Sequence, residues 1–96
     1  MPTFISLINW TEEGVKAFKD TVDRAEAAQQ MAGKFGGRFE IYWTVGPYDI
    51  VAISTFPDDE SATAFALLLN SQGNLRTTTL RAHSADEMRS IIAKTG

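Results

Sequence analysis

Three observations predict an α+β fold of the ferredoxin-like kind, a β-α-β-β-α-β order followed by an extra C-terminal helix. Apolar and polar residues alternate from Arg38 to Val45. A long stretch with three- and four-residue apolar spacing precedes that segment, and a second strand–helix–strand series follows it. Between the two middle strands, Tyr42-Trp43-Thr44-Val45-Gly46-Pro47-Tyr48-Asp49-Ile50-Val51 places a Gly-Pro turn that pins a hairpin at the centre of the chain.

The elements follow in order. Phe4–Trp10 is a short apolar run rich in β-formers and reads as a strand. Thr11 offers a capping hydroxyl, and Glu12 and Glu13 suit the positive end of a helix dipole. Val15, Phe18, Val22, Ala25 and Ala28 then predict one face of a single long helix, closed by Gly36-Gly37. In the second strand Phe39, Ile41, Trp43 and Val45 face the core, while Glu40, Tyr42 and Thr44 face the other side. Tyr48–Phe56, apolar at both parities, is the third strand, stopped by Pro57. Asp58 caps a helix with Ala62, Phe65, Ala66, Leu68 and Leu69 inward, ending near Gly73. Leu75–Ala82, with Thr77, Thr78 and Thr79, is the fourth strand. Ser84 and Glu87 form a capping box for a last helix that turns Met88, Ile91 and Ile92 inward.

Composition bounds the function. Ninety-six residues are expected to form one domain, 1–96. An apolar fraction of 44% and a charged fraction of 22% suit a soluble globular chain. The net charge of −3 and the scattered basic residues point away from nucleic acid. With no cysteine and one histidine, neither a disulfide framework, a thiolate nucleophile nor an all-protein metal site is expected, and no cofactor is implied. The N-terminal apolar run is too short to span a bilayer and has no basic region before it, so no membrane association and a cytoplasmic location are the expectation.

Two helices can cover only one face of a four-stranded sheet. An open face whose central strands are apolar is a poor water surface, which predicts a homo-oligomer, most simply a twofold dimer. Pockets between sheets and helices are then the natural ligand site.

The same residues resemble the GYD domain family, through Gly46, Tyr48 and Asp49 with Pro47 between them. The likeness extends to Asn9-Trp10-Thr11 with Gly14, Arg24-Ala25-Glu26, Tyr42-Trp43-Thr44, Asp58-Asp59-Glu60 with Ala64-Phe65, Gly73-Asn74, Arg76-Thr77 and Thr79-Leu80-Arg81-Ala82. It implies a relation to dimeric α/β-barrel proteins, a group that includes small monooxygenases, isomerases and ligand-sensing domains. His83 stands where that resemblance leads one to expect an aromatic residue.

The first functional reading is an oligomeric GYD-type module that binds a small organic molecule at or near the dimerised sheet. Trp10, Tyr42, Tyr48 and Arg81 are its candidate ligand contacts. The second is a cofactor-independent enzyme of the dimeric α/β-barrel type using Asn9, Trp43, Tyr48, Arg81 and His83. The third is structural self-assembly alone. Each candidate also has a plainer role. Asp49 is read as a cap for turn amides or an arginine partner in preference to a base. Asn9 is read as a hydrogen-bonding residue where the chain enters the helix. Arg76 and Arg81 have opposite parity, so one of them reaches the open face.

Overall fold

In the computed structural model, which describes residues 1–96, the chain runs in a strand–helix order close to that expectation. It comprises β1 (Thr3–Trp10), α1 (Glu12–Lys16), a 3-10 turn (Phe18–Asp20), α2 (Thr21–Lys34), β2 (Arg38–Trp43), β3 (Ile50–Thr55), α3 (Asp59–Ser71), β4 (Leu75–Ala82) and α4 (Ala85–Ala93). The strands form one antiparallel sheet in the order β2-β3-β1-β4, which is the ferredoxin-like α+β architecture. No helix is long and apolar enough to cross a membrane.

Register assigns the two faces. Ile8 lies opposite Ile50 on one side and Thr77 on the other. Phe39 lies opposite Ser54, and Ile41 opposite Ala52. These positions, with Phe56 beyond β3, face the helices. The core formed there joins Ile8, Phe39, Ile50, Ala52 and Phe56 to Ala28 and Ala32 of α2 and Phe65 and Leu69 of α3. Phe65 is its hub. Its ring centroid is 5.0 Å from that of Phe39, edge on, and 5.2 Å from that of Phe56. Ser6, buried on the same face, meets Thr79 hydroxyl to hydroxyl at 3.2 Å.

Helix starts follow the capping signals. The Asp58 carboxylate accepts the Ser61 amide at 2.7 Å, and Ser84 with Glu87 completes a capping box. These amide bonds hold the Asp58 carboxyl below the usual carboxylate range; that of Glu87 is lowered likewise by the Ser84 amide.

Four expectations are corrected. The long first helix is broken into α1, the 3-10 turn and α2. Thr11 caps α1 at the Gly14 amide, gives its hydroxyl to the Gly73 carbonyl at 2.6 Å and its own amide to the Asn74 carbonyl at 3.1 Å. A β-carbon on Gly14 would stand 2.0 Å from that Asn74 oxygen, so only glycine permits the approach. α1 therefore docks on the α3–β4 loop, and the chain must turn before α2 can lie along the sheet. Val15, Phe18 and Val22 stay exposed as a result.

β2 ends at Trp43 and β3 begins at Ile50, so the tight hairpin is a six-residue loop and Val45 projects from it into solvent. Leu68 lies on the outer side of α3, since Phe65 and Leu69 already define its buried edge. α4 buries none of its residues: Met88, Ile91 and Ile92 are exposed. The chain is elongated, 51 Å by 30 Å by 17 Å.

Phe65→Ala should cost about 3–5 kcal/mol in urea unfolding, the usual loss for an aromatic hub. Because the folded Asp58 carboxyl is lowered, its contribution is complete above the unfolded carboxylate pKa and fades as pH falls through the folded value. Thermal melts of Asp58→Asn between neutral and acidic pH should accordingly show a smaller acid-side loss of Tm than the parent.

Candidate functional site

Both faces of the sheet present a surface on which function can act. On the open face, Ile5 lies between Ile53 and Leu80, and Leu7 between Val51 and Thr78. Tyr42 sits beside Val51, and Glu40 beside Ile53. Ile53, Leu80 and Tyr42 are 38%, 47% and 55% exposed. The result is an apolar stripe across all four strands, edged by Arg38, Glu40 and Arg76.

On the helix side, a cavity of about 40 Å³ lies between the sheet and the start of α2. Ile8, Ile41, Ile50, Ala28 and Leu75 form its apolar interior. Trp10, Arg24, Gln72 and Asn74, none of them buried, supply the polar groups of its rim. A second, smaller cavity of about 30 Å³ lies under α3 and is lined by Phe4, Ser6, Phe56 and Thr79 among others.

The loop from Thr44 to Asp49 organises the end of the sheet where the larger cavity opens. Gly46 has φ +142°, a conformation that favours glycine, and it turns the chain back after β2. The Thr44 hydroxyl donates to the Tyr48 carbonyl at 2.6 Å. The Asp49 amide donates to the Ile8 carbonyl, and the Asp49 carboxylate accepts the Trp10 amide, both at 2.9 Å. Asp49 thus bonds a backbone amide, as its local reading anticipates, although the amide belongs to β1 and lies outside the turn.

The four candidate ligand contacts are spread over three places. Trp10 is at the rim of the helix-side cavity, Tyr42 is on the open face, and Tyr48 is half-buried in the β2–β3 loop. Arg81 is on the helix side of β4, opposite Phe4, six residues along β1 from Trp10 and so roughly 20 Å away. Its guanidinium lies 5.7 Å from the Phe4 ring centroid, donates to the carbonyls of Thr3 and Ala82, and pairs with Glu87 at 3.9 Å. Arg76 is the arginine that reaches the open face.

The residues of the enzyme reading are also dispersed. Asn9 is on the open face beside Arg76, and Thr11, not Asn9, makes the hydrogen bonds at the start of α1. The Trp43 indole donates to the Thr21 hydroxyl at 3.0 Å on the helix side. His83 is exposed beyond β4. Arg24 and Asn74 enter the sequence reading only as part of the family resemblance, and Gln72 not at all; none of the three is a candidate site residue there. Arg24 lies four residues before the buried Ala28, on the same side of α2, and that spacing is the available signal.

A family model of the GYD domain matches residues 4–92. The chain belongs to the GYD domain family. Its fold, a four-stranded antiparallel sheet with helices, is shared by solved structures. A Thermus thermophilus protein named "Glutamine synthetase and cystathionine beta-lyase binding protein" is 34% identical over 84 residues, 85% of this chain and 88% of that protein. The crystal structure of TTHA0845, also from Thermus thermophilus, is similar with a TM-score of 0.58 at 26% identity, covering 88% of this chain and 96% of that one. HapK from Hahella chejuensis has a TM-score of 0.60 at 19% identity, covering 88% and 92%, and shows the likeness of fold alone.

Removing the Asp49 carboxylate leaves the Trp10 amide without its charged acceptor. Asp49→Ala should cost about 1.5–3 kcal/mol, and Asp49→Asn, which keeps an acceptor oxygen, should cost less. Amide hydrogen exchange at Trp10 should accelerate in the same order.

Proposed function

We propose that this GYD domain is a homodimeric binding module that takes up a small organic molecule. Two copies close their open sheet faces on one another, and each copy offers its helix-side cavity to the ligand. The observation that carries this reading is the apolar stripe of Ile5, Leu7, Val51, Ile53, Leu80 and Tyr42. It spans the whole sheet, and no helix of the same chain covers it. A second copy supplies the same apolar surface, and twofold pairing closes the contact without leaving a sticky remainder. Such pairing leaves both helix layers outward, so the cavities remain reachable.

Within this reading the four candidate residues divide their work. Tyr42 joins the dimer contact and Trp10 forms a wall of the ligand cavity. Tyr48 buttresses the loop that holds Trp10. Arg81 contacts ligand only by exchanging its carbonyl and Glu87 partners for an anion at the far end of the sheet. A second copy would also give the exposed Met88, Ile91 and Ile92 of α4 a surface to pack on.

A protein-docking role is the second reading. It is favoured by the Thermus thermophilus relative, whose name describes binding to two enzymes. The exposed Val15, Phe18, Val22 and Val45 would then supply contact area away from the dimer face.

Light scattering after size exclusion should give twice the chain mass for the parent and the chain mass for Ile53→Asp. Circular dichroism should be unchanged, since Ile53 lies outside the core. A monomeric parent would sink the dimer reading, and a dimeric Ile53→Asp would place the contact elsewhere.

A further inference from the structure

The rim of the helix-side cavity has a chemistry of its own. Arg24 is the only charged residue among its lining, and no aspartate or glutamate lines it. The three ion pairs of the chain join Lys16 to Glu12, Arg81 to Glu87 and Arg89 to Asp86, so Arg24 has no carboxylate partner. Its side chain also makes no hydrogen bond within the chain, although it is half-buried. The side-chain amides of Gln72 and Asn74 and the indole N–H of Trp10 are likewise uncommitted. Arginine and indole can only donate, and both amides carry donors. Several donors therefore line one cavity, and the rest of its lining is largely apolar, with Ile8, Ile50 and Ala28 buried.

Resting on the reading of this cavity as the ligand site, we infer that its ligand is a small hydrophobic carboxylate. The apolar end enters the cavity and the carboxylate stays at the rim on the Arg24 guanidinium. A planar guanidinium matches a carboxylate bidentately, and the neighbouring amide and indole donors reach oxygens that remain free. The alternatives fit less well. A cation would meet an unpaired arginine and no counter-charge. A neutral apolar molecule would fill the interior and leave the donors to water. A cavity of about 40 Å³ admits a short branched chain more readily than a fused ring system.

The test titrates the full chain with isovalerate and with phenylacetate, each beside its uncharged amide, following ¹⁵N-labelled backbone and indole signals by NMR. The expected result is that isovalerate shifts Trp10, Ala28 and Leu75 and binds at least tenfold more tightly than isovaleramide. Arg24→Gln should abolish that preference by weakening isovalerate to the level of isovaleramide, with the folded spectrum retained. Arg24→Lys should restore only part of it. If acid and amide bind equally at the cavity, or if Arg24→Gln keeps the preference, the anion inference fails and the cavity reading survives. If none of the four compounds shifts the cavity signals, both fail together.

Discussion

The bond from the Trp10 amide to the Asp49 carboxylate is the constraint on which this end of the molecule depends. It closes the β2–β3 loop onto the last residue of β1, between strands that the Ile8–Ile50 pairing has already brought side by side. Three further features follow from it in space. Trp10 is held at the rim of the cavity, Thr11 is delivered to the start of α1, and α1 is led onto the Gly73-Asn74 loop. Gly46, Tyr48 and Asp49 therefore act here first as architecture. The glycine permits the turn, the tyrosine carbonyl is tied by Thr44, and the aspartate fastens the loop to its neighbour strand.

The elements that sequence made legible are those whose causes are local. Thr11, Asp58 and Ser84 cap the helices they precede because an oxygen and an amide three residues later need nothing else. The second strand splits its faces as read, since Phe39 and Ile41 alternate with Glu40 and Tyr42. β4 runs from Leu75 to Ala82 as its threonine-rich stretch suggests. That Asp49 bonds an amide was within reach, because aspartate beside a turn commonly does, but its partner is the distant Trp10 amide and not an amide of the turn.

What sequence hid depends on residues far apart in the chain. The turn at Phe18–Asp20 is imposed by Gly14 against Asn74, a contact that no periodicity within the helix reveals. The inward face expected for α4 needs a surface that the chain itself does not provide. In the candidate site, Arg24 looks like any solvated arginine on an amphipathic helix. Its lack of a partner emerges only when the fold places it beside Trp10, Gln72 and Asn74. The separation of Arg81 from Trp10 is a matter of strand direction, since antiparallel pairing sends the end of β4 to the start of β1.

The central strands carry apolar side chains at both parities, and this bears on how the chain reaches its pairing. Sliding β1 by one residue against β3 would exchange Ile5 and Leu7 for Phe4 and Ile8, one greasy set for another, so hydrophobicity alone distinguishes the two alignments weakly. Polar anchors have to choose. The Asp49 carboxylate under Trp10 is satisfied in only one alignment of β1 on β3, and Ser6 against Thr79 does the same for β1 on β4. The tie at the loop is thus also a ruler, measuring off where the strands must stop.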